Sequence, residues 1–291
     1  MCKKVFLVLF FLCLFISEPL AAPLQVSVSI APIQWLAKQL GGNLVSTQIL
    51  LDKGQDPHSF QPTPEQVTTL FRSQLYCTVG LEFEQELRRK IQATATETEV
   101  IDLTKTIQKK AVPHHEHQYH DRQEQHHRDL DPHLWLAPQN LQQIASVMAA
   151  AFTGIDPKNA AVYARNLEKV QHDLFSTDEE IKHILALCNG QTLLVFHPAF
   201  GYFTKAYGLH QESVEIEGKS PSPKQLYALV RKAKKEKIKA LFVQPQFDQR
   251  NARSIIQAID GKIIILDPLA ENIPQNLKQM AKKIRSALSC R

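Results

Sequence analysis

Past its first sixteen residues the sequence has no apolar run approaching the ~20 residues that a membrane-crossing helix needs. It carries no HExxH pair and no nucleophile elbow, the signatures that would put a metalloprotease or a serine hydrolase first. Excess charge of one sign is small, 34 Lys and Arg against 29 Asp and Glu, a formal +5. The basic residues sit mostly in helix-like runs such as Arg231 to Lys239, which read as a solvated helix face and not as a nucleic-acid surface. Cysteine is sparse, and only Cys77, Cys188 and Cys290 lie beyond the N-terminal segment. Three is an odd number, so at least one stays unpaired within the chain. A Cys188–Cys290 bridge is possible in an oxidising compartment, while Cys77, in "LYCTVG", reads as a small core residue.

What is present begins with "MCKKVFLVLFFLCLFISEPLAA". Lys3 and Lys4 precede an apolar run from Val5 to Ile16, and Ala21 and Ala22 follow, the layout of a secretory signal peptide over residues 1–22. Phe10, Phe11 and Leu12 are too bulky to make Cys13 a lipoprotein cleavage site. The expectation is an exported, soluble mature chain. Its 291 residues, 44% hydrophobic and 22% charged, suit one large domain or two medium ones.

Strand and helix patterns alternate twice along the chain. Strand-like runs in the first half are Leu24 to Ile30, Leu44 to Leu51, Leu75 to Gly80 and Glu99 to Thr104. Those in the second are Gln191 to His197, Glu212 to Glu217, Lys239 to Gln244 and Gly261 to Asp267. A helical reading without Gly or Pro runs from Lys158 to about Leu187, long enough to span roughly 45 Å. The pattern predicts an α/β protein of two lobes, each a four-stranded, mostly parallel sheet flanked by helices, joined by one long rigid helix. The expected division is an N-terminal lobe over 23–138, connecting helices over 139–189 and a C-terminal lobe over 190–291.

Histidine is the residue out of proportion. Of twelve, six (His114, His115, His117, His120, His126 and His127) crowd into a polar, aperiodic loop over 113–128. A different set follows from position. Open α/β sheets bind ligands beyond the carboxyl ends of their strands. His58 follows the second strand, His133 the fourth, and His197 and Asp267 end strands of the second half. Each adjoins a proline (Pro57, Pro132, Pro198, Pro268), which restricts the local backbone and holds the side chain at a set angle. Preorganised imidazoles with a carboxylate suit a tetrahedral zinc ion.

The segments "DPHSFQPTP", "DPHLWLAPQN", "VFHPAFGYF", "QPQFD" and "LDPL" resemble those of the metal-binding receptors of bacterial ABC importers, specifically the zinc (ZnuA-like) branch, over essentially the whole mature chain. The resemblance implies metal-binding roles for His58, His133 and His197, with a histidine at 197 where the manganese branch has a carboxylate. The carboxylate of "LDPL", Asp267 here, is a ligand in several members and is replaced by water or another group in some. Gln244 stands where members usually carry Glu, a position that is not a core ligand in the zinc branch. His- and acid-rich inserts near 113–128 also mark that branch, which implies a low-affinity zinc-collecting role for the six loop histidines. The resemblance further implies a periplasmic monomer that carries Zn²⁺ as transported ligand to a membrane ABC permease with its cytoplasmic ATPase, with no enzymatic activity and no nucleic-acid partner. Three rival readings accompany it: a secreted zinc hydrolase using a three-histidine site, with Glu215 or Glu217 as the carboxylates left for a general base; a zinc-dependent adhesin; and a manganese or iron receptor of the same family.

Overall fold

The structure is a computed structural model and describes residues 22–94, 97–110, 130–215, 221–247, 250–288 and 290. The expected signal peptide (residue 22 apart), the six loop histidines from His114 to His127 and Glu217 lie outside the described residues.

All eight expected strands form, seven of them wholly inside their expected ranges. In the first lobe β1 (Leu24–Val28), β2 (Val45–Ile49), β3 (Leu75–Thr78) and β4 (Glu99–Asp102) alternate with α1 (Ala31–Gly41), α2 (Pro64–Leu70) and α3 (Glu82–Ala93). Their order across the sheet is β2-β1-β3-β4, and every pairing is parallel. Central β3 is buried along its whole length, as expected for a strand covered on both faces. Helix α2 starts at Pro64, with Thr63 before it as the cap. The Thr63 hydroxyl accepts the Gln66 amide N–H while the Gln66 side chain accepts the N–H of Thr63, a reciprocal cap.

The second lobe repeats the plan. Strands β5 (Thr192–Val195), β6 (His210–Ser213), β7 (Ala240–Val243) and β8 (Lys262–Ile265) lie in the order β6-β5-β7-β8, again all parallel. One strand departs from expectation at both ends, since β6 starts at His210 and stops at Ser213. The register pairs Thr192 with His210, so residues without an apolar pattern are recruited by the backbone ladder.

Between the lobes come α4 (Pro138–Ile155) and the long α5 (Ala160–Leu185), which is 26 residues or ~39 Å at 1.5 Å per residue. It is shorter than the sequence pattern suggests because a 3₁₀ turn occupies each end, Pro157–Asn159 and Ala186–Cys188. In the first of these turns the Asp156 carboxylate accepts from the Asn159 amide and the Tyr163 hydroxyl. The helices α6 (Gly201–Ala206), α7 (Pro223–Lys235), α8 (Arg250–Ile259) and α9 (Ile273–Leu288) complete the second lobe.

Helix α5 is packed as a strut. Its buried residues Val170, Leu174, Ile181 and Ile184 belong to one hydrophobic cluster that also holds Val28 of the first lobe and Phe203 and Leu277 of the second. Polar pins reinforce it: Asn166 donates to the Leu40 carbonyl, and buried Asp178 accepts from both Gln139 and Tyr207. Cys188 and Cys290 form the disulfide, tying the end of α5 to the chain beyond α9, and Cys77 is free and buried.

Candidate metal centre

The carboxyl ends of both sheets face one cleft, and three histidines meet there. His58 stands in the loop between β2 and α2, His133 follows β4, and His197 lies two residues past the end of β5. Their ring centroids are 6.0 Å (His58 to His133), 4.7 Å (His58 to His197) and 5.4 Å (His133 to His197) apart. One ring nitrogen from each lies within 4.8 Å of the others, a set that one metal ion can take. Nitrogens on a tetrahedral zinc at ~2.0–2.1 Å are ~3.3 Å apart, close to the 3.1 Å between Nε2 of His58 and Nε2 of His197.

Two of the rings are aimed by buried carboxylates. His133 Nδ1 lies 2.8 Å from Asp131 Oδ1, and His197 Nδ1 lies 2.8 Å from Glu215 Oε2. A carboxylate facing Nδ1 makes Nδ1 the protonated nitrogen and leaves Nε2 as the free donor, which is how metal-binding imidazoles are usually oriented. Glu215 reaches His197 because the chain keeps running beside β5 past Ser213, with the Glu215 N–H donating to the Phe196 carbonyl. That position also answers the suggestion of Glu215 as a hydrolytic base. It faces Nδ1, the side of the ring away from the donor nitrogens.

His197 is held on further sides. Phe247 stacks on its ring at 4.9 Å and 21°, and the Gln244 amide donates to its carbonyl. His58 is held less firmly. Asp56 accepts its backbone N–H, the residue is exposed, and its Nε2 lies 3.1 Å from Nε2 of His197. With His197 as the Nε2 acceptor, His58 supplies the N–H in that contact, so a cation taking that nitrogen requires the hydrogen to move to His58 Nδ1.

Desolvation holds the pKa of both His58 and His197 below the ordinary imidazole value, for His58 because its ring turns inward against His197 although the residue as a whole is exposed. For His58 the adjacent His197 adds to the effect, whereas for His197 the Glu215 carboxylate opposes it. Both rings are therefore neutral, and able to bind metal, at neutral pH.

Asp267 does not join the three donors. Its Oδ1 accepts from the Leu269 amide and from the Gln246 side chain, two residues past the end of β8. The same segment touches the site through Trp135, whose indole N–H donates to the Pro268 carbonyl across the lobes at 2.7 Å and whose ring lies 5.4 Å from that of His133. Sequence reasoning missed the aiming residues Asp131 and Glu215 and the stacking Phe247. Asp131 left a signal in "DPH", which occurs at both His58 and His133, and Phe247 lies within "QPQFD".

Two parallel α/β lobes on a stiff helix, with a three-imidazole donor set between them, define a two-lobed metal-binding protein. Comparison with known proteins makes the assignment specific. The profile described as "ZnuA: Zinc-uptake complex component A periplasmic" matches residues 26–287, and the chain belongs to this family of metal-binding substrate-binding proteins. It is 30% identical over 275 residues to the high-affinity zinc uptake system protein ZnuA of Paracoccus denitrificans, covering 80% of this chain and 79% of that one. It is 28% identical over 261 residues to the manganese ABC transporter substrate-binding lipoprotein PsaA of Streptococcus anginosus, covering 85% and 82%. The solved structure of a ZnuA 138–173 deletion mutant with zinc bound superposes with a TM-score of 0.84 at 31% identity, over 92% of this chain and 99% of that one. The chain is thus a metal-binding receptor and not an enzyme, which removes the hydrolase reading.

Proposed function

We propose that this protein is an exported zinc receptor that takes Zn²⁺ into the cleft through His58, His133 and His197 and delivers it to a membrane ABC permease driven by a cytoplasmic ATPase. The observation that carries the reading is the all-imidazole donor set with two of its rings aimed by buried carboxylates. Imidazole suits zinc, as it does copper, nickel and iron, whereas manganese is better served by carboxylate, carbonyl and water. The fourth position falls to Asp267 or to water, and the histidines of 113–128 act as weak auxiliary sites that gather zinc near the cleft. The signal peptide over 1–22 directs the chain to the periplasm, where it works as a monomer.

The test is a competition titration of metal-free protein with Zn²⁺ and Mn²⁺ against a chelator of known affinity, alongside Asp267→Ala. Zinc should bind orders of magnitude more tightly than manganese. A loss in the Asp267→Ala protein would assign the fourth ligand, and an unchanged affinity would give that place to water. Manganese binding as tightly as zinc would overturn the zinc reading and favour the PsaA-like alternative.

A further inference from the structure

The aiming of His133 runs through the opposite lobe. Asp131, which takes both the backbone N–H and the ring Nδ1–H of His133 on one oxygen, Oδ1, sits against the start of α6 in the second lobe. A Cβ placed on Gly201 would lie 2.8 Å from Asp131 Oδ2, a separation that real Cβ atoms do not show. The next residue, buried Tyr202, accepts the Lys110 backbone N–H at 2.9 Å and donates its hydroxyl hydrogen to the Asp131 carbonyl at 3.2 Å. Lys110 closes the knot from the first lobe. Its ammonium donates to the Gly201 carbonyl at 3.1 Å and lies 4.7 Å over the Tyr202 ring, while its own carbonyl accepts the Asp131 N–H.

We infer that Gly201 and Tyr202 are positioning residues for the metal centre: the second lobe holds Asp131, and through Asp131 it sets the orientation of His133. The inference rests on the metal-binding reading above. Gly201 is not among the glycines with positive φ, so its backbone accepts alanine without strain. The missing side chain is needed for the approach to Asp131, and the short Asp131 side chain, doubly bonded to His133, cannot swing aside without turning the imidazole. Neither Gly201 nor Tyr202 offers a ligand to the cation. Their effect on binding is carried by the angle of the His133 ring.

The experiment titrates the parent, Gly201→Ala, Asp131→Ala and the double variant with Zn²⁺ by chelator competition. It also records the visible d–d spectrum of each Co²⁺-loaded protein, with thermal melts of the metal-free proteins to establish folding. Gly201→Ala should weaken zinc binding roughly 10- to 100-fold, the usual range for a residue behind a ligand, and should shift the cobalt bands. In the Asp131→Ala background the same substitution should have almost no further effect, because the group it displaces is gone. Parent-like affinity and spectrum for Gly201→Ala would overturn the inference. So would a loss that simply adds to that of Asp131→Ala, as a general weakening of the lobe would give. If Gly201→Ala does not fold, Tyr202→Phe carries the test, with several-fold weaker binding and altered cobalt bands expected and parent-like behaviour refuting it. A parent that binds neither ion would refute the metal reading itself, a result separable from all of these.

Discussion

The buried contact between Glu215 and His197 makes a quantitative prediction. The two side chains are 11% and 7% exposed and meet at 2.8 Å, so water does little to screen the pair. A hydrogen bond to a charged group contributes about 1.5–3 kcal/mol. Independently, removing a partner behind a metal-bound imidazole costs roughly 10- to 100-fold in affinity, which converts to about 1.4–2.7 kcal/mol. The two routes agree. Glu215→Ala should fall near the hundredfold end, because the ring loses both its anchor and its preferred tautomer. Glu215→Gln should fall near tenfold, because the amide oxygen still accepts the Nδ1–H but without charge. Chelator competition at pH 7.5 measures both, and a metal-free melt establishes that the fold is kept. If Glu215→Ala binds zinc within about twofold of the parent while His197→Ala does not bind, the carboxylate has no aiming role and the reasoning fails.

Other predictions follow from the same geometry. Alanine at His58, His133 or His197 should each lower zinc affinity by orders of magnitude, and a variant that still binds like the parent removes that residue from the site. Because desolvation holds His58 and His197 below the ordinary 6.5, affinity should be level near pH 7 and fall only as the pH drops below 6.5, with protons taken up for each ion released; calorimetry in buffers of different ionisation heat checks this. The sign for folding is the same: below 6.5 the unfolded chain binds protons that the native imidazoles refuse, so metal-free stability should drop with falling pH in that window. The Cys188–Cys290 bridge spans 102 residues, for which loop-closure entropy gives ~4.7 kcal/mol; Cys290→Ser should lower the unfolding free energy by a few kcal/mol in a denaturant titration and leave zinc affinity nearly unchanged. Glu84 is buried and accepts the backbone N–H groups of Val79, Gly80 and Leu81, so Glu84→Ala should destabilise the fold by about 3 kcal/mol or more in the same assay.

Much of this architecture is legible in the sequence because its signals are local. Apolar runs of four to six residues bounded by loop chemistry mark the parallel strands, and an uninterrupted helical pattern marks α5. The three histidines can be picked out because a ligand-bearing residue just past a strand's carboxyl end is a property of sequence order alone. Helix ends were harder to read. The 3₁₀ turns flanking α5 depend on Asp156 binding Asn159 and Tyr163, a choice that periodicity does not register.

The partners that aim the histidines divide along the same line. Asp131 is two residues from His133, and "DPH" could have revealed it, because an aspartate before proline turns back to accept the N–H of the residue that follows. Asp56 does so for His58, Asp131 for His133 and Asp267 for Leu269. The motif nevertheless has three different outcomes. Only at His133 does the carboxylate also take a ring nitrogen, and at Asp267 the oxygen that makes the turn also accepts from Gln246. Glu215 lies 18 residues from His197 and reaches it only through the register of β5 on β6, where Val195 pairs with Ser213. No local pattern carries that pairing, since the sequence places the strand two residues off at its start and ends it late. The candidate donors of this site can thus be picked out from local sequence, whereas the Glu215 carboxylate facing His197 depends on sheet register. It is at that level that His58, with no carboxylate on its ring among the described residues, differs from His133 and His197, and it is also the most exposed of the three.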